Sequence, residues 1–115
     1  MKVVVKKDPR YRVSIPFLKK TATRILEELG AEKNTWLGLV VVGKRKAKQL
    51  NRQYRQMDYI PAVLSFPYHE KKKNYLLGEV VLCFPLVRKK AIEENQTLED
   101  AFEELLYHGI GNLLR

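Results

Sequence analysis

The stretch Trp36–Gly43, WLGLVVVG, limits the fold more than any other part of the chain. It carries no charge, is rich in β-branched valine, and stops at a glycine. A strand with one wet face alternates apolar and polar residues. An unbroken apolar run instead predicts a strand buried on both faces, as in sheets clothed by helices. The sequence on either side supplies the rest of such a fold. Val3–Val5 is a short β-branched run halted by Asp8 and Pro9, which reads as a first strand. Pro16 suits the first turn of a helix. Leu18, Ala22, Ile25, Leu26 and Leu29 then follow at helical spacing, with Gly30 where a C-cap belongs.

Beyond Gly43 the segment Lys44–Arg55 carries a narrow apolar stripe, Ala47, Leu50 and Tyr54, and predicts a helix that Asp58 and Pro61 bring to an end. AVLSFPY (62–68) reads as a strand, and Pro67 argues for an edge position. YLLGEVVLCF (75–84) is the next strand, expected to pair with it as an antiparallel hairpin across a long polar loop. After Pro85 the residues 86–96 read as one helix. Thr97 and Asp100 then fit a capping box that opens another, with Phe102, Leu105, Leu106, Gly109 and Leu113 on one face. The predicted order is β-α-β-α-β-β-α-α. This is an α+β fold, a four-stranded mixed sheet with helices packed on it, in a single domain spanning residues 1–115.

Charge narrows the function. The chain holds 22 Lys and Arg against 13 Asp and Glu, a net charge of +9. Such a surface field attracts polyanions, nucleic acid foremost. The single cysteine, Cys83, lies in the apolar run VVLCF; it excludes an internal disulfide and a Cys-rich zinc site and points to burial. The first residues lack the apolar region of a signal peptide, and no stretch approaches the roughly 20 apolar residues of a membrane span. The expectation is a cytoplasmic protein with no membrane partner.

Two places can hold chemistry. Lys44, Lys48, Arg52 and Arg55 are spaced by four, four and three, and fall within about 80° of arc on a helix. Arg45 borders that arc, and no acidic residue lies between 44 and 55. A row of cations at regular spacing suits a row of phosphates, so these five residues are the candidate RNA contacts. The alternative is a solvated face of long side chains shielding the core. The second place is the last helix, where His108 and position 112 stand one turn apart. Two histidines so placed can grip one metal ion. Here position 112 is Asn, a poor zinc ligand, and a lone histidine on a helix flank reads more simply as a solvent-facing residue. His69 lies in a loop beside Glu70, and nothing in its spacing pairs it with His108. Ser65 lacks the glycine-flanked elbow of a nucleophilic serine.

Three stretches in order, LNRQYRQMDYIPAVLSFPY (50–68), LLGEVVLCFPLV (76–87) and LLYHGIGNLL (105–114), resemble the YbeY-type rRNA maturation factors. That family pattern runs Leu-Asn, Tyr-Arg, Asp, Thr-Asp-Val-Leu-Ser-Phe-Pro, then a Leu-Gly-Asp strand, then a His-Gly-x-x-His-Leu-x-Gly-x-Asp-His helix. The resemblance implies a metzincin-resembling fold and a zinc-dependent endoribonuclease of single strands. In it three histidines hold the ion that activates water for attack on a phosphodiester. By position His108 is the first ligand, Asn112 stands in place of the second, and the third belongs at position 118. Pro61 and Ala62 replace Thr-Asp, Glu79 stands where the family has Asp, and Arg55 retains the arginine implicated in RNA cleavage.

One imidazole forfeits most of the affinity that three ligands at roughly 2.0–2.1 Å provide, so zinc is expected to be absent or weakly held. The leading expectation is an RNA-binding protein of rRNA maturation, partnered with rRNA and the small ribosomal subunit, with catalysis lost or weakened. Its phosphate contacts are expected beside a groove bounded by the last helix and the AVLSFPY strand. A second reading keeps an active metal-dependent endoribonuclease whose site is completed by His69, Glu79 or a second subunit. A third has the basic face docking a ribosomal protein or a GTPase.

Overall fold

A computed structural model describes residues 1–68 and 76–115. Its elements are β1 (Lys2–Lys7), α1 (Ile15–Glu28), β2 (Trp36–Val42), α2 (Lys44–Arg55), β3 (Val63–Pro67), β4 (Leu76–Cys83), α3 (Phe84–Glu93) and α4 (Leu98–Leu113). The strands lie in the order β1-β2-β4-β3. β2 runs parallel to both β1 and β4, whereas β3 pairs antiparallel with β4. The sheet is therefore mixed, as expected, and Pro67 does sit on an edge strand, where its missing N–H costs no ladder bond.

Strand side chains alternate between faces, so the sheet sorts its residues into two cores. On one face Val3, Leu37, Leu39, Val41, Val80 and Leu82 pack against Leu18, Ile25 and Leu26 of α1 and Phe102, Leu106 and Ile110 of α4. The other face carries a smaller cluster, in which Val42, Leu64, Val81 and Cys83 meet Ala47 of α2. Cys83 is buried, and that burial pushes its thiol pKa up.

The second face is where the reading of WLGLVVVG needs correcting. Leu37, Leu39, Val41 and Val42 are buried, but Trp36, Gly38 and Val40 are half-buried. α2 is 12 residues long and buries Ala47 and Asn51, enough to cover only the carboxyl end of β2. At the other end Gly38 has no side chain to hide, and Lys2 Nζ lies 4.6 Å from the centre of the Trp36 ring. An apolar run can thus be half open where a glycine and a cation–aromatic contact replace a second helix layer.

Element ends follow local chemistry. Ser14 caps α1 by accepting from Phe17 N, and Thr97 caps α4 by accepting from Asp100 N at 3.0 Å. Gly30 follows α1 with φ 81°, one residue past the Leu29 C-cap. α3 starts at Phe84 rather than residue 86, with Pro85 in its first turn, and Asn95 at φ 55° ends it early. Gly78 adopts φ 152° where β4 shifts register against β2. A Cβ there would lie 2.4 Å from the Phe66 carbonyl oxygen, so glycine is what lets β3 close onto β4.

Candidate functional site

α2 opens against its own dipole. Its N-cap is Gly43 with no capping side chain, and its first turn holds Lys44, Arg45 and Lys46 and no acid. Cations at a helix N-terminus are unfavourable. The helix is instead held by its buried side, Ala47 and Asn51. Asn51 also anchors the chain beyond the helix. Its Nδ2 donates to the Tyr59 carbonyl at 3.0 Å, and its own carbonyl accepts from Met57 N at 3.3 Å. Gln56, at φ 57°, makes the left-handed turn that folds residues 56–60 back along the helix.

That fold-back delivers an acid that helical spacing did not anticipate. Arg52 Nη2 lies 2.7 Å from Asp58 Oδ1, and Lys48 Nζ lies 4.0 Å from the same oxygen. The hydrogen bond from Arg52, then the charges of Arg52 and Lys48, hold the Asp58 carboxyl below the usual carboxylate range. Lys44, Arg45, Lys48, Arg52 and Arg55 are all exposed, and three of them, Lys44, Arg45 and Arg55, have no ion pair among the described residues. Tyr54, expected in the apolar stripe, is 61% exposed. Its ring stands edge-on to Phe66, at 5.3 Å between centres.

α4 seats His108 by a different device. Gly109 faces the sheet, and a Cβ there would come within 2.8 Å of Val80 Cγ1 and 3.2 Å of Val63 Cγ2. Glycine therefore lets the helix settle onto β3 and β4. Ser65 Oγ donates to the Gly109 carbonyl at 2.8 Å and locks that approach. Sequence reasoning placed Gly109 on the apolar face but missed Ser65, whose partner is 44 residues away and leaves no periodic signal. His108 and Asn112 project from the exposed side of α4.

The donors at positions 108 and 112 of α4 are thus one imidazole and one carboxamide. Among the described residues no group of three or more His, Cys, Asp or Glu could hold a metal ion. His69 lies outside the described residues. Glu79 does not join His108: Val80 faces α4, so its neighbour Glu79 faces the other way, where it accepts from Tyr68 Oη at 2.6 Å. Glu79 holds the Tyr68 hydroxyl up at about 12. Of the two α4 positions that the resemblance assigns to zinc, the second holds an amide in place of an imidazole.

The alternation that separates the cores also separates the two candidate places. Leu64 points to the α2 cluster, and Ser65 points to α4. The basic row and His108 therefore flank the edge strand β3 from opposite faces of the sheet.

The family model for Endoribonuclease YbeY matches residues 5–114. Endoribonuclease YbeY of Dehalococcoides mccartyi is 33% identical over an alignment covering 97% of this chain and 74% of that protein. Its counterpart from Methylobacillus flagellatus is 42% identical over 63% of this chain and 47% of its own length. The solution structure of TM1509 from Thermotoga maritima superposes with a TM-score of 0.64 at 25% identity, covering 100% of this chain and 73% of that one. The match runs through the α2 row, the β3 strand and the α4 helix alike, and with the shared fold it makes this chain a member of the YbeY endoribonuclease family.

Proposed function

We propose that this chain binds single-stranded ribosomal RNA of the small subunit through α2, and that zinc-dependent cleavage is lost or strongly weakened in it. One observation carries the binding: Lys44, Lys48, Arg52 and Arg55 stand exposed on one helical face with Asp58 as their sole acidic neighbour in an ion pair among the described residues. Each cation that meets a phosphate releases a counterion. Four contacts give a slope of log affinity against log salt of about −3 for a single strand, and three, with Arg52 kept by Asp58, about −2. Anisotropy titrations of a labelled single-stranded RNA across a salt series measure that slope, and a value near zero overturns the reading.

The weakened cleavage rests on the donor chemistry of α4, where an amide stands one turn from His108. Arg55 keeps the position that the family resemblance links to cleavage, and without the ion its remaining task is to hold a phosphate. Metal analysis of untagged protein is expected to find zinc well below one ion per chain. His108→Ala is expected to leave RNA affinity unchanged. Stoichiometric zinc, lost in His108→Ala together with cleavage of single-stranded RNA, would restore the active-endoribonuclease reading instead.

A further inference from the structure

Where α2 ends, the basic row meets large side chains that the fold itself does not use. Tyr54 is 61% exposed, Tyr59 49% and Met57 46%. They are not carried on a loose segment. The Tyr54 ring stands edge-on to Phe66 at 67°, and the backbone at Met57 and Tyr59 is bonded to Asn51, which is fully buried. The Tyr54 ring and the backbone of Met57 and Tyr59 are therefore held in place, while the three side chains face water. Large exposed side chains so close in sequence, at the end of a basic helix, form the kind of surface that a partner contacts.

The chemistry of the partner is set by the surroundings of the rings. Cations on α2 call for a polyanion, and flat aromatic faces call for flat apolar surfaces to lie on them. Duplex RNA offers phosphates but keeps its bases stacked inside. An acidic protein satisfies the cations but meets the rings only where it also exposes planar side chains at the right spacing. A single strand offers phosphates and free bases at once. We infer that Tyr54 and Tyr59 are a base-stacking platform for single-stranded RNA, set beside the phosphate row. This rests on the RNA-binding reading of α2 and deepens it, because it assigns single-strand preference to two named side chains.

The test compares three labelled ligands of equal length by anisotropy: a single-stranded RNA, the same backbone with abasic sites, and a duplex. Tyr54→Ala and Tyr59→Ala are each expected to weaken single-strand binding roughly five- to 150-fold. They should leave abasic and duplex binding, and the salt slope, unchanged. Tyr54→Phe and Tyr59→Phe should bind as wild type, since the ring is retained. Circular dichroism confirms that each variant is folded. Tyrosine variants that bind the single strand normally, while Lys48→Ala weakens it, overturn the platform and leave the RNA reading standing. Equal weakening on the abasic strand also overturns it, since no base is then involved. A wild-type chain that binds none of the three removes both.

Discussion

Single residues set the spacing on which the candidate site depends, and Ser65, Gly78 and Asn51 can each be tested alone. Ser65 and Gly109 fasten α4 to β3. Ser65→Ala removes the hydroxyl donor and is expected to cost about 1 kcal/mol, read as a lower urea midpoint with an unchanged slope. Gly78→Ala is expected to cost more, about 1–3 kcal/mol for the φ of 152° alone, before the clash with the Phe66 carbonyl is counted. Asn51→Ala removes the bond to the Tyr59 carbonyl but also a carboxamide oxygen that is buried without a partner among the described residues. It should therefore loosen residues 56–60 more than it destabilises the whole fold, which hydrogen exchange at Met57 would show. None of these fastenings was legible in the sequence. Spacing revealed which side of α4 Gly109 occupies, but no local pattern announces a serine that reaches 44 residues along the chain.

At the level of elements the helical period was a reliable guide to charge and a poor one to contacts. It placed Lys44, Lys48, Arg52 and Arg55 together, and all four are exposed as it implied. It failed at Tyr54, which is exposed and stands edge-on to Phe66. The pairing of Asp58 with Arg52 was not foreseen, because it depends on the left-handed turn at Gln56, which interrupts the period. Asp58→Ala gives the consequence a sign. Releasing Arg52 should raise RNA affinity and steepen the salt slope by about 0.7. Unchanged affinity would mean that Arg52 stays out of the interface.

For the molecule as a whole, the order of elements, the mixed sheet and the edge position of β3 were legible, because breakers and periodicity are local. Which face each helix covers was not, since that is decided by chain crossings. The charge arrangement makes a whole-molecule prediction about pH. Asp8, Glu28, Asp58 and Glu104 all titrate lower than ordinary, through hydrogen bonds from Arg10, Tyr107, Arg52 and Gln96 respectively. Their contribution is present above the ordinary carboxylate range and is lost as pH falls through it. On the alkaline side Tyr68 works in reverse. The folded chain keeps a proton up to about 12 that the unfolded chain releases near 10.0, so stability declines across that interval. Urea midpoints measured against pH should be level through neutrality and fall at both ends. A midpoint that holds steady into strong acid would show these surface pairs to be energetically idle.

β3 is five residues long, yet its two sides answer to different helices. A slip of one position against β4 would turn Ser65 toward α2 and Leu64 toward α4, leaving a hydroxyl among aliphatic carbons and an isobutyl group against a backbone carbonyl. Both helices would lose their seats in a single event. Inserting or deleting one residue inside this strand should accordingly abolish folding, whereas the same change in the 31–34 connection ahead of β2 should be tolerated.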